Sequence, residues 1–289
     1  MMRYFMVLLL LLSLACPALA GPSATQLKPV ANIFLPLQSW LLEQGLPAGR
    51  VNGWLSANGV RFEGKILSGM LAHKEVTRDY ESFFTKASIK RAQDFKNKYQ
   101  KILQQVEEDT RVPAGVIVAI LLVESNLGSY TGKTYAFNVL ASQAVLDSAL
   151  ARETLAKTWP PSQKSYLDTP AALERFAKRA AWAREEILAL IRLAEQWQVS
   201  PLTVKGSAAG AMGWCQFMPT SIEKWGADAS GDNRVDLNNP LDAIASVGRY
   251  LAEHGWVKGL EYGQQLEVIL TYNKSTPYAE AILKLAAKL

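Results

Sequence analysis

Glu124 stands alone at the end of an apolar run, Val116 to Val123, and Ser125, Asn126, Leu127 and Gly128 follow it at once. Pro113 suits the first turn of a helix and Gly128 suits its end, so the segment predicts one buried helix with the acid in its last turn. Desolvation by the apolar wall and the negative end of the helix dipole both disfavour a carboxylate there, so its pKa should rise. A carboxyl group in that state can serve as a general acid. A surface glutamate at a frayed helix end is the plain alternative that this segment leaves open.

The second constellation runs from Lys205 to Ser221. Three glycines and three alanines fall in the eight positions from Gly206 to Gly213, which lets backbone approach closely, and Ser207 and Gln216 stand among apolar and aromatic neighbours. That composition lines a ligand groove; it also suits a tightly packed turn with no ligand. Cys215, beside Gln216, is either a thiol at the rim of such a groove or a small buried hydrophobe.

These groups need a scaffold, and helical periodicity supplies it. Thr85 to Glu108, Ala171 to Trp197 and Leu241 to His254 carry apolar residues at helical spacing, and sustained period-two alternation is absent. The expected class is mainly α. Residues 21–29 read as a loose linker, and Thr158 to Pro170, with its Trp-Pro-Pro and Thr-Pro pairs, as an irregular connection. The helix expected over Ile89 to Glu108 is charged and amphipathic whereas the next is almost wholly apolar, which places a boundary near Arg111. An N-terminal helical region, 21–110, would then pack beside a catalytic core, 111–289.

The 289 residues carry 31 Lys and Arg against 26 Asp and Glu, a mild positive balance that suits an anionic polymer surface. Residues 1–20 read as a secretory leader: Arg3, an apolar run from Phe5 to Leu12, then Ala18-Leu19-Ala20 before Gly21. The run is much shorter than the roughly 20 apolar residues of a membrane span. An exported, periplasmic or cell-envelope protein is expected. Cys16 after Ser13-Leu14-Ala15 offers a second processing site, that of a lipoprotein, which fits less well than cleavage after Ala20. Cleavage after Ala20 would leave Cys215 without an internal cysteine partner, so no disulfide framework is expected.

Asp228, Ser230, Asp232 and Arg234 place oxygen ligands at alternate positions, with Val235 where a calcium loop has an apolar residue. Asn233 replaces the sixth-place glycine and Asn239 the bidentate glutamate of such a loop. Asn tolerates the left-handed conformation. The alternative is a polar turn capped by Asn238 or Asn239, with Pro240 at the first helical position and Asp242 near the helix start. Other chemistries fit poorly. Gly132-Lys133-Thr134 lacks the upstream glycine of a phosphate loop, and His73 and His254 are too few and too separated for a zinc site or a serine triad. No interleaving of basic and aromatic residues points to nucleic acid.

The Glu-Ser element at Glu124, together with the Gly-Ser-x-x-Gly-Ala-Met-Gly-x-x-Gln-Phe-Met-Pro element from Gly206, resembles the lytic murein transglycosylases, specifically their membrane-bound lytic transglycosylase B family. Two further segments fit in the same order: Asp228 to Tyr250 with His254-Gly255-Trp256, and Thr271 to Lys274. The resemblance implies a lysozyme-like helical core that cleaves the β-1,4 bond between N-acetylmuramic acid and N-acetylglucosamine in peptidoglycan. It also implies a 1,6-anhydro product, formed when the muramic acid 6-hydroxyl attacks its own anomeric carbon. Glu124 would serve as acid and then as base. Ser207 and Gln216 would bind the sugar near the cleaved bond. Tyr250, Tyr272 and Asn273 would line the subsites and position Glu124, and Phe217 would supply a wall. Asp242 would close the loop from Asp228 around a structural Ca2+; the chemistry itself needs no cofactor. A monomer acting on glycan strands is expected. The chain departs from that family after Glu124, where Thr directly after the glutamate and an aromatic residue with Gly two places further on are usual and this chain has Ser125, Leu127 and Gly128, and at Trp214 and Cys215, where Tyr and Gly are usual. A hydrolytic muramidase on the same fold and a non-catalytic peptidoglycan-binding module are the competing readings.

Overall fold

The structure is a computed structural model that describes residues 31–72 and 79–289. The leader, Cys16, the linker at 21–29 and His73 fall outside those residues. The described chain is helical almost throughout: α1 (Leu35–Glu43), α2 (Ala48–Leu55), α3 (Gly64–Leu71), α4 (Lys86–Lys98), α5 (Gln100–Thr110), α6 (Ala114–Ser125), α7 (Ala136–Ala144), α8 (Ala149–Ala156), α9 (Pro170–Gln196), α10 (Pro219–Trp225), α11 (Pro240–Glu253), α12 (Tyr262–Tyr272) and α13 (Thr276–Ala286). Two short strands, β1 (Thr134–Tyr135) and β2 (Lys205–Gly206), pair antiparallel, with Thr134 opposite Gly206 and Tyr135 opposite Lys205. No described helix is long and apolar enough to cross a membrane.

Helix α6 is the axis of the molecule. Its residues Ala114 to Val123 and Ser125 are all buried, and Glu124 alone is partly exposed. An all-round apolar helix can be stable in water only if other helices surround it, and α4, α5, α11 and α13 do so. Gly115 lets α13 close in: a Cβ there would lie 2.8 Å from the Ala286 carbonyl oxygen. Residues on both sides of the Arg111 turn, including Phe34, Leu41, Phe95 and Leu103 before it and Ile117, Phe137, Ile244 and Ile282 after it, share one core. A smaller cluster, Leu67, Leu146, Leu155, Trp159, Leu167 and Phe176, lies apart from it.

Local chemistry sets several helix starts. Thr85, Ser148, Thr169 and Ser275 each accept a backbone N–H at the head of α4, α8, α9 and α13, and Asn239 does so for Leu241 of α11. Two expectations need correction. The single helix expected over Ile89 to Glu108 is broken at Tyr99 (φ −108°, ψ 23°), whose ring packs on Phe95 with centroids 4.6 Å apart. The stretch Thr158 to Pro170 is not irregular: Pro161–Asp168 forms a 3-10 helix, anchored by buried Leu167. Pro161 at its start lacks only an N–H that the first turn does not use.

Candidate active site

The end of α6 is built to present one acid. Asn126 (φ 52°), Leu127 (φ 56°) and Gly128 (φ 80°) turn the chain through three successive left-handed residues. Ser125 fastens this turn, its buried hydroxyl donating to Leu121 O (3.3 Å) and accepting the Gly128 N–H (2.9 Å). Ser125 thus caps the helix, and it faces the fold instead of a ligand. Gly128 must be glycine twice over, since its φ is left-handed and a Cβ would lie 2.0 Å from the Trp214 indole.

Glu124 is held from α13. The Tyr278 hydroxyl donates to Glu124 Oε1 at 2.7 Å, and Tyr278 is itself 1% exposed. The Tyr80 ring stands edge-on to Tyr278, with centroids 6.1 Å apart, and Tyr272 lies nearly parallel to it at 6.5 Å. The Tyr272 hydroxyl donates to the Cys215 carbonyl at 2.5 Å. Burial above all, with the neighbouring Cys215 and Glu124 adding to it, holds the Tyr272 phenol far above its ordinary range, so it remains a neutral donor. Cys215 is wholly buried, and burial pushes its thiol up as well. Of the two roles that the sequence left open, it fills that of the small buried hydrophobe.

Tyr250, Phe217 and Tyr272 form one aromatic group. Phe217 packs on Tyr250 and Tyr272 at 5.5 and 5.8 Å, and Tyr250 on Tyr272 at 5.0 Å. Phe217 and Tyr250 are 4% and 7% exposed, and Tyr250 donates to Thr271 O at 2.7 Å and stacks on His254. Burial raises the Tyr250 phenol too. These two rings therefore stand behind Tyr272 and support it. Asn273 is exposed at the end of α12, its backbone N–H bonded to Ile269 and its carbonyl to the Ser275 N–H.

The glycine-rich segment is folded on itself. The Ser207 hydroxyl accepts from Ala209 N and Ala211 N (3.2 and 3.1 Å), and the Ser207 N–H donates to Ala211 O. Met212 and Phe217 exchange both backbone bonds, closing a hairpin whose corner holds Gln216 at φ 51°. The Gln216 amide donates to Gly213 O (2.8 Å) and Thr131 O (3.4 Å), tying the hairpin to the loop after α6. Gly132 and Gly206 make the close approach that small residues allow, a Cβ on Gly132 falling 2.1 Å from the Gly206 carbonyl carbon.

The loop from Asp228 is bonded to the hairpin, Trp214 N–H donating to Leu237 O at 2.8 Å. Asp228 accepts the N–H groups of Gly231 and Asn233 and the Ser230 hydroxyl. Desolvation, the largest single influence, pulls its carboxyl up, but these bonds together hold it below the usual range. Asn233 is left-handed (φ 64°), as the loop pattern requires. Asp232 accepts the Arg234 N–H. Asp242, fully buried, accepts from Ala229 N, Ser230 N and Asp236 N at 2.8 to 3.0 Å, so both its oxygens gather the loop's ends. Among the described residues no three His, Cys, Asp or Glu side chains converge on one point as metal ligands. The donor types nonetheless suit a hard cation: Asp228, Ser230 and Asp232 carry side-chain oxygens at alternate positions of a largely exposed loop.

Sequence reasoning missed Tyr278. Its place on the buried stripe of α13 is legible, but nothing in the sequence says that its hydroxyl meets an acid 154 positions earlier.

Residues 35–268 match the family model described as the transglycosylase SLT domain. Membrane-bound lytic murein transglycosylase B of Escherichia coli (strain K12) is 34% identical over 179 residues, 62% of this chain, and the chain spans 42% of that relative's length. The soluble lytic transglycosylase SltB1 from Pseudomonas aeruginosa superposes with a TM-score of 0.70 at 24% identity, covering 89% of this chain and 98% of that one. The Escherichia coli lytic transglycosylase Slt35 in complex with calcium superposes with a TM-score of 0.73 at 22% identity, covering 93% and 97%. The helical, lysozyme-like fold expected from the sequence is therefore the fold found.

Proposed function

The chain belongs to the transglycosylase SLT domain family, and from that premise we propose that it is a peptidoglycan lytic transglycosylase. It cleaves the β-1,4 bond between N-acetylmuramic acid and N-acetylglucosamine and leaves 1,6-anhydromuramic ends. The observation that carries the reading is Glu124: the one partly exposed residue of a buried helix, oriented by the Tyr278 hydroxyl at 2.7 Å. Protonated Glu124 donates to the leaving glycosidic oxygen. As carboxylate it then takes the proton from the muramic acid 6-hydroxyl, which closes on the anomeric carbon. Ser207, Gln216 and Asn273 hold the sugar, Tyr272 lines the site, and Phe217 and Tyr250 back it. A calcium ion would be held by Asp228, Ser230, Asp232 and the Arg234 carbonyl, with Asp242 as the buried post closing that loop. The chain acts in the cell envelope after export; the leader reading and the name of the Escherichia coli relative support this.

Digestion of purified peptidoglycan with identification of the new sugar ends by mass spectrometry tests this reading. An internal hydroxyl held in line reaches effective molarities of about 10⁵ to 10⁸ M, far above the roughly 55 M of water. The expected products carry anhydromuramic ends, lighter by one water than the hydrolytic ones. Reducing muramic ends as the main product would make the protein a hydrolase, and no cleavage would favour a binding module. Glu124→Gln should fold normally and lose about 10²- to 10⁴-fold in turnover or more, because an amide cannot donate that proton.

A further inference from the structure

Helix α10 begins at Pro219 directly after the Met212–Phe217 hairpin, and Met218 at its N-cap provides no side-chain cap. The first amide that needs a partner is that of Thr220, because Pro219 has none. It finds one on another helix. Glu186 of α9, 3% exposed, accepts the Thr220 N–H on Oε2 (2.9 Å) and the Thr220 hydroxyl on Oε1 (2.7 Å). Two residues before that clamp, Met218 gives way to Phe217, which exchanges both backbone bonds with Met212; the adjoining Cys215 carbonyl accepts the Tyr272 hydroxyl. A carboxylate in so apolar a setting is costly, and burial indeed pushes the Glu186 carboxyl up, with the Thr220 bonds opposing. On its outer side α10 is also tied to α9 by the exposed Arg192–Glu223 pair at 2.7 Å.

We propose that Glu186 is a positioning residue, which caps α10 from α9 and so fixes the hairpin that carries Gln216 and Phe217 and buttresses Tyr272. The proposal rests on the transglycosylase reading for its kinetic consequence and on geometry alone for its effect on the hairpin.

The test compares Glu186→Ala, Glu186→Gln, Thr220→Val and Arg192→Ala in the full chain. Two readouts are taken: kcat and KM on soluble glycan strands, and hydrogen exchange at the Met212 and Phe217 amides. In Glu186→Ala the Thr220 groups lose their partner, and KM should rise and exchange at both amides quicken by about tenfold or more. Glu186→Gln can accept the amide and donate to the hydroxyl, so it should stay within about threefold of wild type on both readouts. Arg192→Ala, which loosens only the outer tie, should leave KM unchanged. A lower melting temperature in Glu186→Ala with wild-type KM and wild-type exchange would overturn the proposal, as would Glu186→Gln failing as badly as Ala. If Glu186→Ala does not fold, Thr220→Val, which keeps the amide and loses the hydroxyl, must show the same changes at smaller size or the proposal falls. Absence of cleavage by the wild-type chain would sink the catalytic reading alone, and the exchange data would still decide the clamp.

Discussion

Tyr278 and Glu124 show what a single hydrogen bond can do at a site. The acid sits in the last turn of α6, where its backbone is fixed, but its carboxyl group could still rotate; the Tyr278 hydroxyl at 2.7 Å removes that freedom. Tyr278→Phe keeps the ring and its packing and deletes only the donor. An ordinary intramolecular hydrogen bond is worth about 0.5 to 1.5 kcal/mol, so kcat should fall by roughly 2- to 10-fold with little change in KM or in the circular dichroism spectrum. Steady-state kinetics on soluble glycan strands would read this, and a wild-type kcat would remove Tyr278 from any role in orienting the acid. Cys215 stands at the opposite extreme. It lies among the same residues, yet burial leaves it neutral and sealed, a packing residue behind Tyr272.

At the scale of elements, α9 and α10 meet through a buried carboxyl whose ionisation is disfavoured. The folded pKa of Glu186 is raised by burial and by Glu223, while Thr220 and Lys224 pull it down. A raised folded pKa means that the stabilising form is the protonated one. That stability is fully present below the ordinary carboxylate value, about 4.3, and is lost as pH rises through the raised value. Glu186→Gln mimics the protonated group at every pH. The stability of wild type minus that of Glu186→Gln should therefore decline from pH 4 towards pH 7, and denaturant midpoints of the two proteins along that series would show it. A difference growing in the same direction would contradict the sign. The same scale explains why helix starts were easier to read than helix breaks: Pro113 and Asn239-Pro240 announce themselves chemically, whereas the break at Tyr99 interrupts a continuous amphipathic pattern.

For the whole molecule, the loop from Asp228 is joined to the Met212–Phe217 hairpin, since Trp214 N–H donates to Leu237 O at 2.8 Å, and to the end of α9, since Trp197 Nε1–H donates to Val235 O at 2.9 Å. An ion bound only by the folded state should raise stability by about 2.7 kcal/mol at a hundred times its dissociation constant. Calcium titration followed by thermal melting should show that rise, and Asp232→Ala should abolish it. An identical melting temperature with and without calcium would leave a polar turn held by Asp228 and Asp242.

Helical periodicity was sufficient for the helical architecture, and the order of motifs was sufficient for the family through the resemblance they carry, because an acid closing an apolar helix and a glycine-rich turn are local patterns with local causes. Glu124, Ser207 and Gln216 are legible in that way, and so is the left-handed Asn233. The partners are not. Tyr278 reaches Glu124 across 154 positions, Glu186 reaches Thr220 across 34, and Asp242 gathers amides from both ends of its loop. In each case the sequence shows a polar residue on an otherwise apolar face, and burial obliges it to find a partner. Which partner it finds depends on how α6, α9, α11 and α13 pack, and only the tertiary structure decides that.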